Sequence, residues 1–497
     1  MEFVVDGKTM KQLDDYTVNE IGIPSLVLME RAALAFTNVL LEKIVYVDSI
    51  IVLTGPGNNG ADGVAIARLL KLKGYQVEVY IMGETKQFSM QLKEQISIAT
   101  KLGVNFINNA KISEYTVVID AIFGIGLSRP ICGKIANVVE CVNRCDNQVF
   151  SVDIPSGIHS GCGKVMEHAI HADYTVTFGY QKMGMLMYPG CQYAGQVIIA
   201  DIGFPTLEFA NVIPSGFVYQ KEDLKLLPVR PSDSNKGDFG KVMVIAGSKN
   251  MSGACYMSAK AAYRIGAGLV KILTVEENRT ILQTMLPEAI ISTYHGETIE
   301  KEIDQIRKEM KWASTIVFGP GVGVSDSSRT LLSLVLQESH VPTIIDADGL
   351  NLLSEMGSIE EIPLNEHIIL TPHLKEMSRL LHVDVNEVKE KVIEIAKQIS
   401  KEKNYTLVLK DARTLVAGKN NLYINTSGND GMSTGGSGDV LTGVIAGLLA
   451  QGMENYQAAC LGTFIHGMSG DVAAYKNGRY FLMATDIIDH LRDVLLV

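Results

Sequence analysis

The chain of 497 residues is 47% hydrophobic and 20% charged, and its formal net charge is −11. This length exceeds a single hydrophobic core, so we expect two or three domains. The acidic balance argues against a nucleic-acid or anionic-membrane partner, because such partners require basic surface stripes. No apolar run reaches membrane-spanning length, the first residues lack a secretory pattern, and the seven cysteines are scattered without a CxxC pair. We therefore expect a cytoplasmic protein with reduced thiols.

Strands and helices alternate in the N-terminal half. The predicted elements, in chain order, are a strand at 49–54, a helix from 61 to about 73, a strand at 77–82, a helix at about 89–102, and strands at 116–120 and 148–153. This alternation predicts right-handed crossovers and a parallel sheet. Ligands of open α/β sheets bind outside the carboxyl ends of the strands. We therefore expect Thr54, Asp120 and Asp153 to meet at one crevice.

A proline-containing polar region separates this half from a second alternation. It spans about 211–240, and we place the domain boundary near residue 218, which gives domains 1–218 and 219–497. The second half has predicted strands at 241–246, 315–319, 342–346, 367–371 and 406–410 and a predicted helix at 252–266. Both halves are therefore expected to be α/β domains.

A glycine-rich turn follows the first strand. Residues 55–63 formally contain the GxGxxG signature of dinucleotide-binding Rossmann units. Pro56 stiffens this turn, and the acidic residue expected about 20 residues later would be Glu78, in mid-strand, or Glu84. Both details weaken the interpretation as a simple Rossmann signature.

The same turn carries oxygen-bearing side chains. Asn58, Asn59 and Asp62 either cap the helix predicted from residue 61 or present oxygens to the crevice. Asp120 and Ser156 add oxygens from neighbouring strand ends. Such a donor set suits a hard cation.

A second glycine-rich loop, at 435–439, precedes an apolar helical pattern at 440–450. Glycines let the backbone N–H groups turn toward a bound anion, and the helix N-terminus adds positive potential. Phosphate would repel the carboxylate of Asp439, so the position of this carboxylate indicates a catalytic role. It would act as a base on a hydroxyl that attacks a phosphoryl group. The alternative is that Asp439 caps a core helix.

Motifs across nearly the whole chain carry a resemblance to two known families. The first half resembles the NAD(P)H-hydrate epimerase family, and the second half resembles the ribokinase-like NAD(P)H-hydrate dehydratase family. The matching segments are 28–32, 57–63, 120–126 and 153–157 in the first half and 236–240, 252–254, 319–323, 346–351, 371–376 and 435–439 in the second. The resemblance implies a Rossmann-like three-layer α/β domain followed by a ribokinase-like α/β domain. Ala61 departs from the glycine common in the family, which matters little if its φ is negative.

The implied substrates are hydrated NADH and NADPH (NADHX and NADPHX). Phosphorylation of the added hydroxyl makes it a good leaving group, and elimination then restores the dihydropyridine. The resemblance implies that Asp439 is the general base, that the amides of 435–438 stabilise the transferring phosphoryl group, and that Mg²⁺ neutralises phosphate charge. It implies ADP as the donor for bacterial members and ATP for eukaryotic ones. We also expect a homo-oligomer.

The resemblance assigns residues to the dehydratase site. The hydrated dinucleotide would contact Ala254, Gly323, His373 and Asp439, and the nucleotide donor would contact Lys410, Asp411, Ala412, Arg413, Thr414, Asn429, Gly435, Gly436, Ser437 and Gly438. For His373, the alternative is a strand-end residue satisfied by its own loop.

The resemblance also assigns an epimerase site. K⁺ would be bound by Asn59, Asp120 and Ser156, and substrate by Asn58, Asn59, Gly60, Ala61, Asp62, Gly124, Ile125, Gly126, Leu127, Ser128, Arg129, Pro130 and Asp153. Epimerisation requires reversible proton and C–O chemistry, and Asp153 is a candidate acid–base group because it is a carboxylate at a strand end. The alternative is that Asp153 holds a ribose hydroxyl.

Two other functions are compatible with single motifs. The loop at 435–439 alone would fit a sugar or vitamin kinase, which releases a stable phosphorylated product. The GxGxxG match alone would fit a non-catalytic dinucleotide-binding module, which would bind intact NADH as tightly as its hydrate.

Overall fold

The computed structural model describes residues 1–296 and 299–496. The chain divides into two compact units, Phe3–Phe217 and Val218–Val497, the second joined by Met1–Glu2. No helix in the described ranges has both the length and the apolar character needed to cross a membrane.

The first unit is a parallel α/β structure. Its strands are β1 (Glu2–Val5), β2 (Ser49–Thr54), β3 (Gln76–Ile81), β4 (Asn105–Ile107), β5 (Val117–Ala121), β6 (Gln148–Val152), β7 (Tyr174–Phe178), β8 (Gln181–Lys182), β9 (Gln196–Ala200) and, at the boundary, β10 (Gly216–Val218), and its helices are α1 (Gly7–Asn19), α2 (Ser25–Leu41), α3 (Asn58–Leu72), α4 (Met90–Lys101) and α5 (Gly133–Arg144). A seven-stranded sheet has the order β4-β3-β2-β5-β6-β7-β9, and all its pairs are parallel. The strand order reverses between β2 and β5, which is where α/β sheets bind ligands.

The central strand β2 is apolar throughout because both of its faces are buried. Ile50 and Val52 pack in one core with residues of α2 and α3. Ile51 and Leu53 pack in the opposite core with residues of α5. The period of two along the strand therefore supplies one layer of side chains to each face, as a sheet covered by helices on both sides requires.

The second unit has a longer sheet. Its strands are β11 (Lys241–Ile245), β12 (Leu269–Val275), β13 (Ile290–Tyr294), β14 (Thr315–Phe318), β15 (Thr343–Ile345), β16 (Ile368–Leu370), β17 (Thr406–Leu409), β18 (Leu415–Gly418) and β19 (Asn421–Ile424), and its helices are α6 (Ser252–Arg264), α7 (Arg279–Met285), α8 (Ile299–Met310), α9 (Asp326–Glu338), α10 (Asp348–Glu355), α11 (Leu374–Leu381), α12 (Val385–Glu390), α13 (Val392–Glu402), α14 (Ser437–Ala450), α15 (Asn455–Asn477) and α16 (Ala484–Leu495). The strand order is β13-β12-β11-β14-β15-β16-β17-β18-β19. The pairs are parallel as far as β17 and antiparallel from β17 to β19.

The α/β class predicted for both halves is confirmed, but two predicted helix starts are wrong. Helix α3 begins at Asn58 rather than at 61, because Gly57 takes an extended conformation and forms the N-cap. Helix α14 begins at Ser437 rather than at 440, after Gly436 with φ 92°. Both helices therefore start inside their glycine-rich turns, which brings the turn residues into the first helical turn.

Helices α6 and α14 approach so closely that their contact requires glycine. A Cβ atom at Gly443 would lie 2.2 Å from the Ser258 carbonyl oxygen. We predict that Gly443→Ala lowers the free energy of unfolding by about 1–3 kcal/mol through overpacking. Gly253→Ala is the matched control, because no atom lies within 4 Å of the added Cβ. Urea denaturation measures both variants, and an unchanged Gly443→Ala transition would contradict the packing described.

Two candidate active sites

A cavity of about 740 Å³ opens at the carboxyl ends of the strands in the first unit. The predicted site residues that line it are Asn58, Asn59, Asp62, Gly124, Ile125, Gly126, Leu127, Ser128, Arg129 and Asp153. Gly60 and Ala61 are instead buried in α3, and Pro130 is exposed. Ala61 has the negative φ of a right-handed helix, so the glycine common in the family is not needed there.

The capping interpretation of the asparagines in the turn is wrong. No side chain caps α3. The side chains of Asn58, Asn59 and Asp62 are instead carried by the first turns of the helix and line the cavity. The N–H groups at the start of α3 therefore also face a region where an anion would be stabilised.

Asp120 is fully buried at the end of β5. Its Oδ2 accepts hydrogen bonds from Ser151 Oγ and the Ser156 N–H, both 2.8 Å, and its Oδ1 accepts from Ser156 Oγ at 2.5 Å. Burial raises the pKa of this carboxyl, and the hydrogen bonds oppose that shift. Its charge is not balanced by an ion pair with any residue in the described ranges.

The three predicted K⁺ ligands lie around one loop. Ser156 Oγ contacts Asp120 and also accepts a 2.8 Å hydrogen bond from the Phe123 N–H. A Cβ at Gly124 would lie 3.1 Å from Asn59 Oδ1, and the buried Nδ2 of Asn59 has no hydrogen-bond partner. A buried carboxylate without a counter-charge beside amide and hydroxyl oxygens fits a hard monovalent cation.

Asp153 follows β6 in a left-handed conformation with φ 69°. Its Oδ1 accepts a 2.5 Å hydrogen bond from Lys182 Nζ and 3.2 Å hydrogen bonds from Thr177 Oγ1 and the Phe178 N–H. Lys182 is fully buried. Burial lowers the pKa of its ammonium, and the charge of Asp153 opposes the shift. Asp153 is thus the anionic half of a buried ion pair. The sequence analysis missed Lys182, which carries no motif of its own.

A carboxylate–lysine pair also lies at the centre of the second unit. Asp346, buried at the end of β15, accepts hydrogen bonds from Lys410 Nζ at 2.8 Å and Thr442 Oγ1 at 2.6 Å. Burial lowers the pKa of Lys410, but the charges of Asp346 and Glu376 outweigh it and raise the pKa. A Cβ at Gly438 would lie 3.2 Å from Lys410 Nζ. The glycine-rich loop therefore passes directly over this pair.

Asp439 lies in the first turn of α14, and the capping interpretation is wrong here too. Gly436 is the N-cap, and no side chain caps this helix. Burial and the charge of Asp346 raise the pKa of Asp439 to about 7, although Lys410 opposes the shift. Its carboxyl therefore changes charge near neutral pH, as a general base requires.

His373 is the N-cap of α11. This agrees with the alternative stated above, in which its side chain is satisfied by its own loop. Its Nδ1 accepts 3.1 Å hydrogen bonds from the N–H groups of Lys375 and Glu376. An isolated bridge pairs it with Lys410, so it also borders the central pair. The sequence analysis assigned no role to Glu376, which is buried and whose pKa burial raises to about 7.

The remaining predicted residues fall into two groups. Ala254 lies beside the loop that carries Gly323: a Cβ at Gly321 would be 3.1 Å from Ala254 Cβ, and the Gly323 N–H donates to Asp348 Oδ2 at 2.9 Å. The segment Lys410, Asp411, Ala412, Arg413 and Thr414 forms a turn before β18, and Arg413 Nη1 donates to the Thr426 carbonyl at 3.2 Å.

Asn429 extends this second region toward α15. Its Nδ2 donates to Asp471 Oδ1 at 2.9 Å, and the Gly428 N–H donates to Asp471 Oδ2 at 2.8 Å. The sequence analysis missed Asp471, which holds Gly428 and Asn429, upstream of the glycine-rich loop at 435–439.

No cluster of His, Cys, Asp and Glu side chains that could cage a metal ion occurs in residues 1–296 and 299–496. In phosphoryl-transfer sites Mg²⁺ binds through one or two carboxylates and the substrate phosphates. Asp346 and Glu376, beside Lys410, offer such carboxylates.

Comparison with known proteins covers both units. A family profile described as NAD(P)H-hydrate dehydratase matches residues 242–493, and one described as YjeF-related protein N-terminus matches 25–184. The bifunctional NAD(P)H-hydrate repair enzymes of Coxiella burnetii and Thermofilum pendens are 35% and 34% identical, over 99% and 98% of this chain and 99% and 95% of their own lengths. A ribokinase-like superfamily protein from Enterococcus faecalis is 30% identical, with a TM-score of 0.52 over 57% of this chain and 96% of its own.

The folds and sites define a two-domain α/β enzyme whose second domain is ribokinase-like. The chain belongs to the family of bifunctional NAD(P)H-hydrate repair enzymes. Because the relatives match both halves, neither a lone vitamin kinase nor a simple dinucleotide-binding module accounts for the chain.

Proposed function

We propose that this chain repairs hydrated NADH and NADPH by two activities. The first unit interconverts the R and S hydrates. The second unit dehydrates the S hydrate with the help of a phosphoryl donor. We propose ADP as this donor, and ATP is the alternative. The observation that carries this proposal is the position of Asp439, in the first turn of α14 and beside the ion pair of Lys410 and Asp346. We also propose that the enzyme acts as a homo-oligomer in the cytoplasm, where its scattered cysteines would stay reduced.

In the dehydratase step, Asp439 takes the proton of the substrate hydroxyl as its oxygen attacks the phosphoryl group. The N–H groups of 435–438 and the positive end of α14 stabilise the charge on the transferring group. Asp346 and Glu376 would hold Mg²⁺ together with the donor phosphates. When bound, the ion would neutralise part of the phosphate charge. Loss of phosphate, with a proton from the neighbouring ring carbon, then restores the double bond.

Asp439→Asn tests this role with almost no change of shape. We predict a loss of nucleotide-dependent dehydration on the order of 10²-fold or more, because the general base is removed. The wild-type rate should rise with pH through about 7, since the base must be ionised and its pKa is raised to about 7. Recovery of dihydronicotinamide absorbance measures both effects.

Asp233→Asn is the matched control, because Asp233 is an exposed carboxylate of the same unit. This variant should match the wild type in rate and pH profile. Near-normal turnover of Asp439→Asn, or a variant that keeps the wild-type pH profile, would contradict the assignment of the base.

In the epimerase step, the substrate would occupy the cavity of about 740 Å³. The start of α3 and the side chain of Arg129 would face its pyrophosphate, because both supply positive potential. Asp153, fixed by Lys182, would orient the sugar or the reacting ring. Asn59, Asp120 and Ser156 would hold K⁺, which when bound balances the buried charge of Asp120.

A potassium titration tests this site. Epimerisation without nucleotide should be slow in tetramethylammonium buffer and should rise with added K⁺. In Asp120→Asn, the K⁺ concentration for half-maximal rate should increase on the order of 10–100-fold, as is typical when a metal site is disturbed. Chromatography of the two hydrates measures the rate. The same K⁺ response in wild type and Asp120→Asn would count against the site.

A further inference from the structure

Three carboxyl groups surround the cavity of the first unit. Asp14 of α1, Asp62 of α3 and Asp153 after β6 all line it, together with the basic side chains of Lys11, Arg129 and Lys182. These carboxyl groups do not help to bind an anionic dinucleotide, because like charges repel each other. Carboxylates in such a position would stabilise a substrate that becomes cationic during the reaction.

These carboxyl groups have different partners. Asp153 is ion-paired with Lys182 at 2.5 Å and accepts further hydrogen bonds from Thr177 Oγ1 and the Phe178 N–H. Asp62 is half-buried on α3, and its carboxyl forms neither a hydrogen bond nor an ion pair with a residue in the described ranges. It is a titratable group that faces the cavity and has no structural task, because it does not cap its helix.

The surroundings of Asp62 favour its protonated form. Burial, followed by the charges of Asp153 and Asp14, raises the pKa of Asp62 well above its ordinary value. Burial and then Asp15 also raise the pKa of Asp14. One cavity therefore combines a fixed carboxylate with a carboxylic acid, the arrangement by which enzymes assign acid and anion roles to similar side chains.

We propose that Asp62 is the catalytic acid–base group of epimerisation and that the carboxylate of Asp153 stabilises a cationic ring intermediate. This inference rests on the epimerase function proposed above. The sequence analysis chose Asp153 as the candidate acid–base group and expected Asp62 only to contact the substrate. The structure favours Asp62 as the group that transfers the proton.

The Asp62 carboxyl proton passes to the hydroxyl oxygen of the hydrate, and the C–O bond breaks with its electron pair leaving on water. The lone pair of the ring nitrogen forms a C=N⁺ bond. Half a turn of the ring about its glycosidic bond presents the opposite face, and water adds there. The C=N pair returns to nitrogen, and the proton of the added water returns to Asp62, with no net oxidation.

The test compares Asp62→Asn with Asp146→Asn, an exposed carboxylate at the opposite end of β6. Wild-type enzyme without nucleotide must first interconvert the purified hydrates, and failure at this stage would overturn the epimerase function itself. If it succeeds, Asp62→Asn should lower kcat about 10²–10⁴-fold with a much smaller change in KM. Asp146→Asn should equal the wild type.

Two further measurements separate a catalytic role from a structural one. Dehydration of the S hydrate by Asp62→Asn should be normal, and an unchanged circular dichroism spectrum and urea unfolding transition show that the first unit of the variant is folded. The wild-type epimerase kcat should fall as pH rises through the pKa of Asp62, because the acid form starts the reaction. Asp62→Asn with wild-type kcat, or with raised KM alone, would overturn the proposal, as would a wild-type kcat that increases over that pH range.

Discussion

The chemistry proposed for both units depends on carboxylates buried at the carboxyl ends of parallel strands. Each unit pairs one such carboxylate with a buried lysine: Asp153 with Lys182, and Asp346 with Lys410. Each also keeps a second carboxylate beside the pair without an ion pair in the described ranges, Asp62 or Asp439, whose pKa burial raises. Removing charge from water is costly unless it is paired, so burial favours the protonated form of the second group.

The backbone determines where these groups meet. In the first unit the order of strands reverses between β2 and β5, and α3 starts directly after β2. The crevice at that reversal is lined by residues that follow β2, β5 and β6, among them Asn58, Phe123 and Asp153. In the second unit α14 starts inside a glycine-rich loop, since Gly436 adopts a left-handed conformation that other residues rarely take. Its N-terminus is therefore directed at the pair of Asp346 and Lys410.

The sequence predicts the strands that position both sites, because each is a short apolar run ending in a polar turn. It does not predict the start of α3, since Gly57 as an extended N-cap has the same local signature as a longer loop. It misses Lys182 and Glu376 because their roles come from contacts between segments. Lys182 lies 29 positions from Asp153 along the chain. The sequence analysis also misses β4, β7 and β9 in the first sheet and β12, β13, β18 and β19 in the second, although β12 carries an apolar run as clear as those predicted around it.

The central claim is that one chain carries two separate activities on the same damaged cofactor. The most direct test is a complementation experiment with two variants, each defective in one activity. Mixed NADHX epimers are incubated with excess ADP, Mg²⁺ and K⁺, and the recovery of dihydronicotinamide absorbance is followed. Wild type should restore both epimers fully, whereas Asp120→Asn should slow sharply once the S hydrate is consumed and Asp439→Asn should restore almost none. An equimolar mixture of the two variants should again reach full recovery. A mixture that slows where Asp120→Asn alone slows would contradict the account.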